Sequence, residues 1–478
     1  MIRHNCWKTM SAIFVLCAAM AIAAPAQTFT TLVSFDGTNG ANPFLMSLVQ
    51  GRDGSFYGAT ERGGNATCNL GCGTVFKITG VGTLETLYNF CEQPACTDGG
   101  FPYAGLLLAA DGNFYGTTTT GGIGGGTVFK ITSAGALTTL HSFGSADGFS
   151  PFGALIQAAN GDLYGTTAYG GTNCAAPGCG TVFKISPAGS LTTLHNFDGS
   201  HGALPLGGLI QGTNGHFYGT TYQGGPTNNG TIFEITPDGT LRTLHSFNGS
   251  DGDSPYAGLI QGRDRNLYGT SALGGNSACE FGCGTVFMMS PSGALTTLHS
   301  FNGSDGAYPY AGLIQGTDGN LYGVTFGGGI TTTNGTVFEI TQGDKLITLH
   351  AFNGEDGANS YGGLFQGTNG GFYGATSYGG AFECGVNACG TVYKLDLDLG
   401  PFVAVVSAAG RIGQTGGILG QGFTGTTSVS LNGTPATYTV VSDTFIRATV
   451  PPGATTGFVT VTTPSGTLTS NVPFRVIP

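Results

Sequence analysis

The chain has 478 residues, of which 88 are glycine and 9% are charged, and its formal net charge is −11. Apolar residues make up 40% and recur at fixed offsets, which excludes a disordered chain. The acidic balance, without any basic run, excludes a binder of nucleic acid or of anionic membranes.

At the N-terminus, Arg3 and Lys8 precede an apolar run from Ile13 to Ala24, followed by Ala24-Pro25-Ala26. This predicts a secretory signal peptide over 1–26, and hence a secreted or cell-surface protein. The run is too short to cross a bilayer, so no membrane span is expected in the mature chain. Cleavage removes the only tryptophan, Trp7, and takes the formal charge from −11 to −13. Any aromatic platform for a sugar must then be built from Tyr or Phe.

The next predicted element is a solitary strand, FTTLVSF at 29–35. Behind it begins a unit that recurs to about residue 396. Its tyrosine-glycine core stands at Tyr57, Tyr115, Tyr164, Tyr218, Tyr268, Tyr322 and Tyr373, with spacings of 49 to 58 residues. A period near fifty with four short strand-like runs per copy predicts propeller blades. In the fifth copy the runs fall at 257–261, 267–271, 285–289 and 295–301. The first two runs are separated by pairs such as Asp53-Gly54, Asp111-Gly112 and Asn160-Gly161, which suit a type I′ hairpin turn. The runs do not alternate strictly, as expected of sheets packed on both faces. The seventh copy lacks a fourth run, and 29–35 has the fourth-run sequence, so the N-terminal strand is expected to complete the last sheet and remove its exposed edge. The reading is an all-β chain with a seven-bladed β-propeller over 27–398, closed by the N-terminal strand.

Of twelve cysteines, ten remain after cleavage, in five close pairs: Cys68-Cys72, Cys91-Cys96, Cys174-Cys179, Cys279-Cys283 and Cys384-Cys389. Four pairs sit between the second and third runs of alternate copies. A Cys-x3-Cys pair can belong to a zinc site, but each loop offers only two ligands and no neighbouring histidine. Local disulfides of an exported protein are the favoured reading. Each closes a short loop, worth about 2 kcal/mol in chain entropy.

The LYGTT, double-glycine, GTVF and LTTLHSF phrases resemble the GloVer tandem repeat of exported bacterial proteins, from residue 29 to about 396. The resemblance implies an exported repeat protein of undefined function, of a kind in which some members carry C-terminal sorting signals. Kelch repeats share the double glycine but carry a tryptophan that every copy here lacks. Beyond Pro401 the period vanishes. GILGQGF, SVSLNG, VVSDTFIRATVPPG and GFVTVTTPSG resemble an IPT/TIG domain, which implies a small immunoglobulin-like β-sandwich over 399–478.

In a propeller, the loops between second and third runs and those between successive copies emerge on one face. Three position classes converge there. The first is an aromatic at the start of the first run: Phe44, Tyr103, Phe152, Tyr256, Tyr310 and Tyr361, with Leu206 in the seventh place. These read either as a stacking platform or as blade packing. The second is the pair before the double glycine, which includes Glu61-Arg62, Tyr169, Tyr222, Phe326 and Tyr378 and changes from copy to copy. Scaffold demands are alike in every copy, so varied chemistry at one offset points to contact with something asymmetric, or to drift on a tolerant loop. The third is an acidic turn, Asp98, Asp147, Asp251, Asp305 and Asp356, with His201 and Asn39 elsewhere. Each turn offers one carboxylate where calcium wants six to eight oxygens, and the Asp251–Asp253 neighbourhood is the best placed of them for a cation. No other cofactor is implied.

Five histidines, His141, His195, His245, His299 and His350, share one offset, which signals a structural task. No catalytic residues are assigned, because no spacing ties the pattern-breaking Glu61, Arg62, Asp253, His201, Glu280 and Glu383 into one constellation. The expected function is a binding or adhesion scaffold taking an extracellular glycan or protein on the loop-rich face. Its rivals are an extracellular carbohydrate-active lyase or hydrolase on that face, and a purely structural envelope protein.

Overall fold

A computed structural model describes residues 27–64, 68, 70–329, 333–384 and 387–477; the expected signal peptide lies outside them. The described chain is all-β, with one short 3-10 turn at Pro94–Cys96. Each of the first six repeats forms a four-stranded antiparallel sheet in chain order. In the fifth repeat the strands are Ile260–Gln261, Leu267–Ser271, Thr285–Met289 and Leu295–Ser300. The two middle strands are buried on both faces, which is why they carry no alternation. The glycine of each tyrosine-glycine pair is required by its neighbour on the third strand. A Cβ at Gly269 would lie 2.6 Å from the Phe287 ring.

The seventh sheet consists of Phe365–Gln366, Phe372–Thr376, Thr391–Asp396 and the N-terminal strand Thr28–Ser34. Thr28–Ser34 runs antiparallel to Thr391–Asp396, with Phe29 opposite Leu395. It even reproduces the bulge seen between the third and fourth strands of other repeats. Phe29 stacks between His350 and Tyr393, at 3.7 and 5.1 Å.

One side-chain bond recurs between repeats. A glutamine at the end of the first strand accepts from a backbone N–H in the preceding repeat's turn: Ala110 to Gln157, Ala159 to Gln211, Thr213 to Gln261, Arg263 to Gln315 and Thr317 to Gln366. Thr368 of the seventh repeat donates in the same way to Gln50 of the first, at 3.0 Å. Between the first and second repeats the glutamine is replaced by Leu108, and Arg52 donates to the Ala110 carbonyl at 2.7 Å instead. First and last repeats also share a core, in which Phe56 and Phe76 pack with Tyr373 and Val392.

Two expectations need correction. The first strand is only two residues long, because the residues before it run against the neighbouring repeat's backbone; a Cβ at Gly207 would lie 2.5 Å from Ala257. The hairpin turn is not type I′. In Gly51–Ser55 only Gly54 is left-handed (φ 82°), with Gly54 N bonded to Gly51 O and Gly51 N to Ser55 O. That is the three-residue loop of a type I turn followed by a left-handed glycine.

All five expected disulfides are present. The C-terminal residues form two four-stranded sheets around a core that includes Val403, Ile418, Phe423, Ile446 and Val461. This part rests on the hairpin turns of the repeats: Thr444 donates to the Arg52 carbonyl at 2.7 Å, Arg475 to Thr213 and Arg263 to Asn471. Phe445 and Leu419 join the core around Tyr57. No described helix is long and apolar enough to cross a membrane.

Candidate functional site

The residues singled out in the sequence lie at the ends of the repeats away from those hairpin turns. There, the segment entering each repeat bridges to the residue just before the double glycine: Ala41 with Arg62, Gly100 with Thr120, Phe149 with Tyr169, Ala203 with Gln223, Asp253 with Leu273, Ala307 with Gly327 and Ala358 with Tyr378. The next residue of the entering segment is left-handed in every repeat, namely Asn42, Phe101, Ser150, Leu204, Ser254, Tyr308 and Asn359, with φ between 51° and 57°. Six of these precede proline, where helical backbone is sterically disfavoured. Such strain persists only where surrounding bonds over-determine it. Here each strained residue's carbonyl accepts from the opposing loop, as in Glu61 N to Asn42 O and Tyr222 N to Leu204 O. Sequence reasoning missed them, six because an X-Pro pair argues for extended backbone.

The twist fixes the following aromatics around a common mouth. Phe152 meets Tyr103 (4.9 Å), Tyr103 meets Phe44 (4.9 Å), Phe44 stacks on Tyr361 (4.0 Å), Tyr361 meets Tyr310 (5.0 Å) and Tyr310 meets Tyr256 (5.3 Å). The chain of rings is interrupted only at Leu206, which is buried. The varied pairs join it from outside: Phe326 contacts Tyr310 and Tyr361, and Tyr222 contacts Tyr256. Burial raises the phenol pKa of Tyr256, with Tyr169 and Tyr222 close enough to add to the effect. It raises that of Tyr361 likewise, with Tyr378 contributing. Of the ten residues expected to bind ligand, Tyr103, Tyr222, Tyr256, Tyr310, Phe326 and Tyr361 are thus linked by ring contacts, while Tyr169 stacks on Phe149.

Glu61 is the one acid among them. It is 5% exposed and accepts from the Tyr103 hydroxyl (3.1 Å) and Arg62 Nε (3.1 Å). Burial pushes its carboxyl above the ordinary value, and Arg62 and Tyr103 offset that only in part. Arg62 also lies over the Phe101 ring, at 5.7 Å. Burial and then Glu61 raise the Tyr103 phenol, so it is a hydrogen-bond donor and not a base. Asp253, another of the pattern-breaking carboxylates, accepts from the Ser254 hydroxyl at 2.7 Å.

Behind the rings is a cavity of about 210 Å³, lined by Phe152, Tyr256, Tyr310 and Tyr361 and by the glycine- and alanine-rich starts of the first strands. A larger cavity of about 330 Å³ separates the repeats from the C-terminal sheets at Arg52, Asp111, Phe445 and Arg447. Its Arg52 guanidinium is already engaged by the Ala110 carbonyl and the Phe445 ring.

The acidic turns prove to be the partners of the repeated histidines. His141, His245, His299 and His350 bond through Nε2 to Asp147, Asp251, Asp305 and Asp356, at 2.7 to 3.0 Å. Each aspartate also accepts from a backbone N–H of its own turn. Asp98 accepts from Tyr88. These carboxylates are committed to clamping the turn onto the fourth strand. In the third repeat the clamp is missing: His201 occupies the aspartate's place and bonds Asp198, leaving His195 Nε2 buried without a partner. Among the described residues, the one grouping of three metal-ligating side chains is Cys68, Cys72 and Cys91, all held in disulfides.

Comparison with known proteins bears on the repeat. Overlapping stretches, residues 18–212, 175–387 and 280–435, match the family described as the Gloeobacter/Verrucomicrobia repeat. The chain belongs to that repeat family. Among solved structures, a fungal alcohol oxidase of the AA5 family in complex with copper is similar to this repeat protein at a TM-score of 0.54. The two are 13% identical, and the match covers 95% of this chain and all of the oxidase. The extracellular domain of a putative hybrid two-component system from B. thetaiotaomicron has a TM-score of 0.51 and 11% identity, covering 95% of this chain and 59% of its own. At such identities the likeness is one of fold. No curated protein matches by sequence.

Proposed function

We propose that this Gloeobacter/Verrucomicrobia repeat protein is an exported binding scaffold. In this reading residues 27–398 form a seven-bladed propeller shut by the N-terminal strand, and 399–478 form an IPT/TIG-like sandwich that serves as a spacer. The glutamine bond from Thr368 to Gln50 supports a closed ring, since it repeats between last and first what joins successive repeats. The five disulfides are in keeping with an oxidising compartment.

The observation that carries the function is the convergence of chemically unlike side chains on one aromatic mouth, above a scaffold that is otherwise uniform. Tyr and Phe give large contact area at low entropic cost, as in other binding surfaces. The ligand is an extracellular glycan or a protein. Four apolar side chains on the surrounding loops, Leu70, Ile123, Phe281 and Phe382, are at least half exposed and offer rim contacts. A glycosidase would need a second carboxylate facing Glu61, whereas the partners of Glu61 are Arg62 and Tyr103.

The test is to replace Tyr169, Tyr222, Phe326 and Tyr378 together by alanine. Pull-down from culture supernatant and glycan-array binding should be lost while the melting temperature holds. Unchanged binding would remove the site from this face.

A further inference from the structure

We infer that the mouth takes one uncharged sugar ring, presented end-on by a neutral glycan chain. This rests on the binding reading above and narrows it to a ligand class. Three observations carry it.

The first is size. At about 210 Å³ the cavity falls below the range of about 300–1,000 Å³ that accommodates drug-sized ligands. Behind its aliphatic and aromatic lining, the strand starts are held by glycines whose backbones pack directly on those of neighbouring repeats. A Cβ at Gly258 would lie 2.4 Å from the Gly208 carbonyl, and one at Gly153 would lie 2.7 Å from that of Gly207. One ring enters such a space, and the rest of a chain must stay outside among the loops.

The second is charge. No charged side chain lines the cavity. On the loops around it Glu61 is paired with Arg62, with burial opposing its ionisation, and the Asp253 carboxylate accepts from Ser254 Oγ. A cation finds no anion in the cavity, and an anion meets the negative faces of the rings. A neutral group pays neither cost.

The third is hydrogen-bonding capacity. Among the described residues the hydroxyls of Tyr256, Tyr310 and Tyr361 make no hydrogen bond to protein, although their rings are half-buried. Burial raises all three pKa values, so each phenol keeps its proton and can both donate and accept. Rings that present apolar faces, with hydroxyls left open between them, match a sugar, which alternates C–H faces with hydroxyl edges.

The experiment is calorimetric titration of the mature chain, residues 27–478. The probes are neutral hexasaccharides of glucose, mannose, xylose and galactose, together with hexagalacturonate, tetramethylammonium and a cyclic glucan, which has no end. At least one neutral hexasaccharide should bind. Tyr361→Phe should weaken it about fivefold, the worth of one hydrogen bond, whereas Tyr322→Phe at the distant hairpin turns should leave it unchanged. Hexagalacturonate, tetramethylammonium and the cyclic glucan should not compete. Tighter binding of either charged probe, equal binding of the cyclic glucan, or binding of no neutral hexasaccharide would overturn the inference. If the fourfold alanine variant still loses its pull-down partner in that case, the mouth remains a binding site and only the sugar is wrong. If the pull-down is unaffected too, the binding reading itself has failed.

Discussion

Most tyrosines at the two ends of the repeats have opposite hydrogen-bonding fates, Tyr103 with its bond to Glu61 being the exception at the mouth. At the hairpin-turn end, the hydroxyls of Tyr57, Tyr115, Tyr268 and Tyr322 donate to Asp53, Asp111, Asp264 and Asp318, at 2.7 to 3.0 Å. Where the turn carries asparagine, Asn160, Asn214 and Asn369 donate to the tyrosine instead. At the mouth, Tyr256, Tyr310 and Tyr361 touch one another edge to face or stacked and leave their hydroxyls open. The same residue type therefore serves as a satisfied fastener at one end and as an unspent contact surface at the other. The difference is in the surrounding groups, not in the tyrosine.

Substitutions can break this contrast or sharpen it. The largest effect is expected for Tyr57→Ala, since that side chain is 0% exposed. Chemical denaturation should register a loss of about 3–5 kcal/mol. Tyr322→Phe removes the hydroxyl from Asp318 and should cost about 1 kcal/mol by the same assay.

Acidification should come next, and its sign follows from the clamps. Burial holds the folded-state pKa of His350 below its ordinary value, despite the pull of Asp356. The neutral ring is thus favoured in the fold, and its contribution, complete above the unfolded value of 6.5, is lost as pH falls. At Asp305 burial acts upward, but the bonds from His299 and Asn302 outweigh it and the net shift is downward. Its contribution is full above 3.8 and is lost at still lower pH. Melting temperatures recorded from pH 7.5 to 3 should therefore decline in two stages. A flat profile would mean the clamps contribute nothing.

The smallest effects are the most discriminating. Tyr310→Phe should leave stability within about 0.5 kcal/mol, unlike the same change at Tyr322. A cost as large as that of Tyr322→Phe would show that the mouth hydroxyls are fasteners after all. The pair Asp198→Asn with His201→Asp gives the third repeat the Asn and Asp found at Asn248 and Asp251. It should provide His195 with its missing partner and gain about 0.5–1 kcal/mol, with the imidazole pKa, followed by NMR, moving upward.

Much of the fold was legible because the period near fifty dictates like sheets, and because FTTLVSF could be recognised as a fourth strand out of place. Adjacent cysteine pairs left little choice of partner. Six of the ten candidate residues stood out because one offset varied while its neighbours did not, and the other four, Tyr103, Tyr256, Tyr310 and Tyr361, because an aromatic recurs at the start of the first run. What stayed hidden depends on geometry across a turn or between repeats. His245 and Asp251 were each noticed, but their meeting requires the bulge and the turn that fold one back on the other. Gln211 reads as the polar end of a short apolar run, and only its reach to Ala159 in the neighbouring repeat gives it meaning. The left-handed residue before proline ran against a sound local rule, and tertiary bonds overrode it.

The pairing of Thr28–Ser34 with Thr391–Asp396 has a consequence for biogenesis. The N-terminal strand has its berth on a strand of the last repeat, so it must wait, unpaired, until Asp396 has been made. A chain cut short before Asp396 offers it no berth and leaves two adhesive strand edges bare. Such bare edges are open to pairing with other chains, and only the last repeat's third strand closes them.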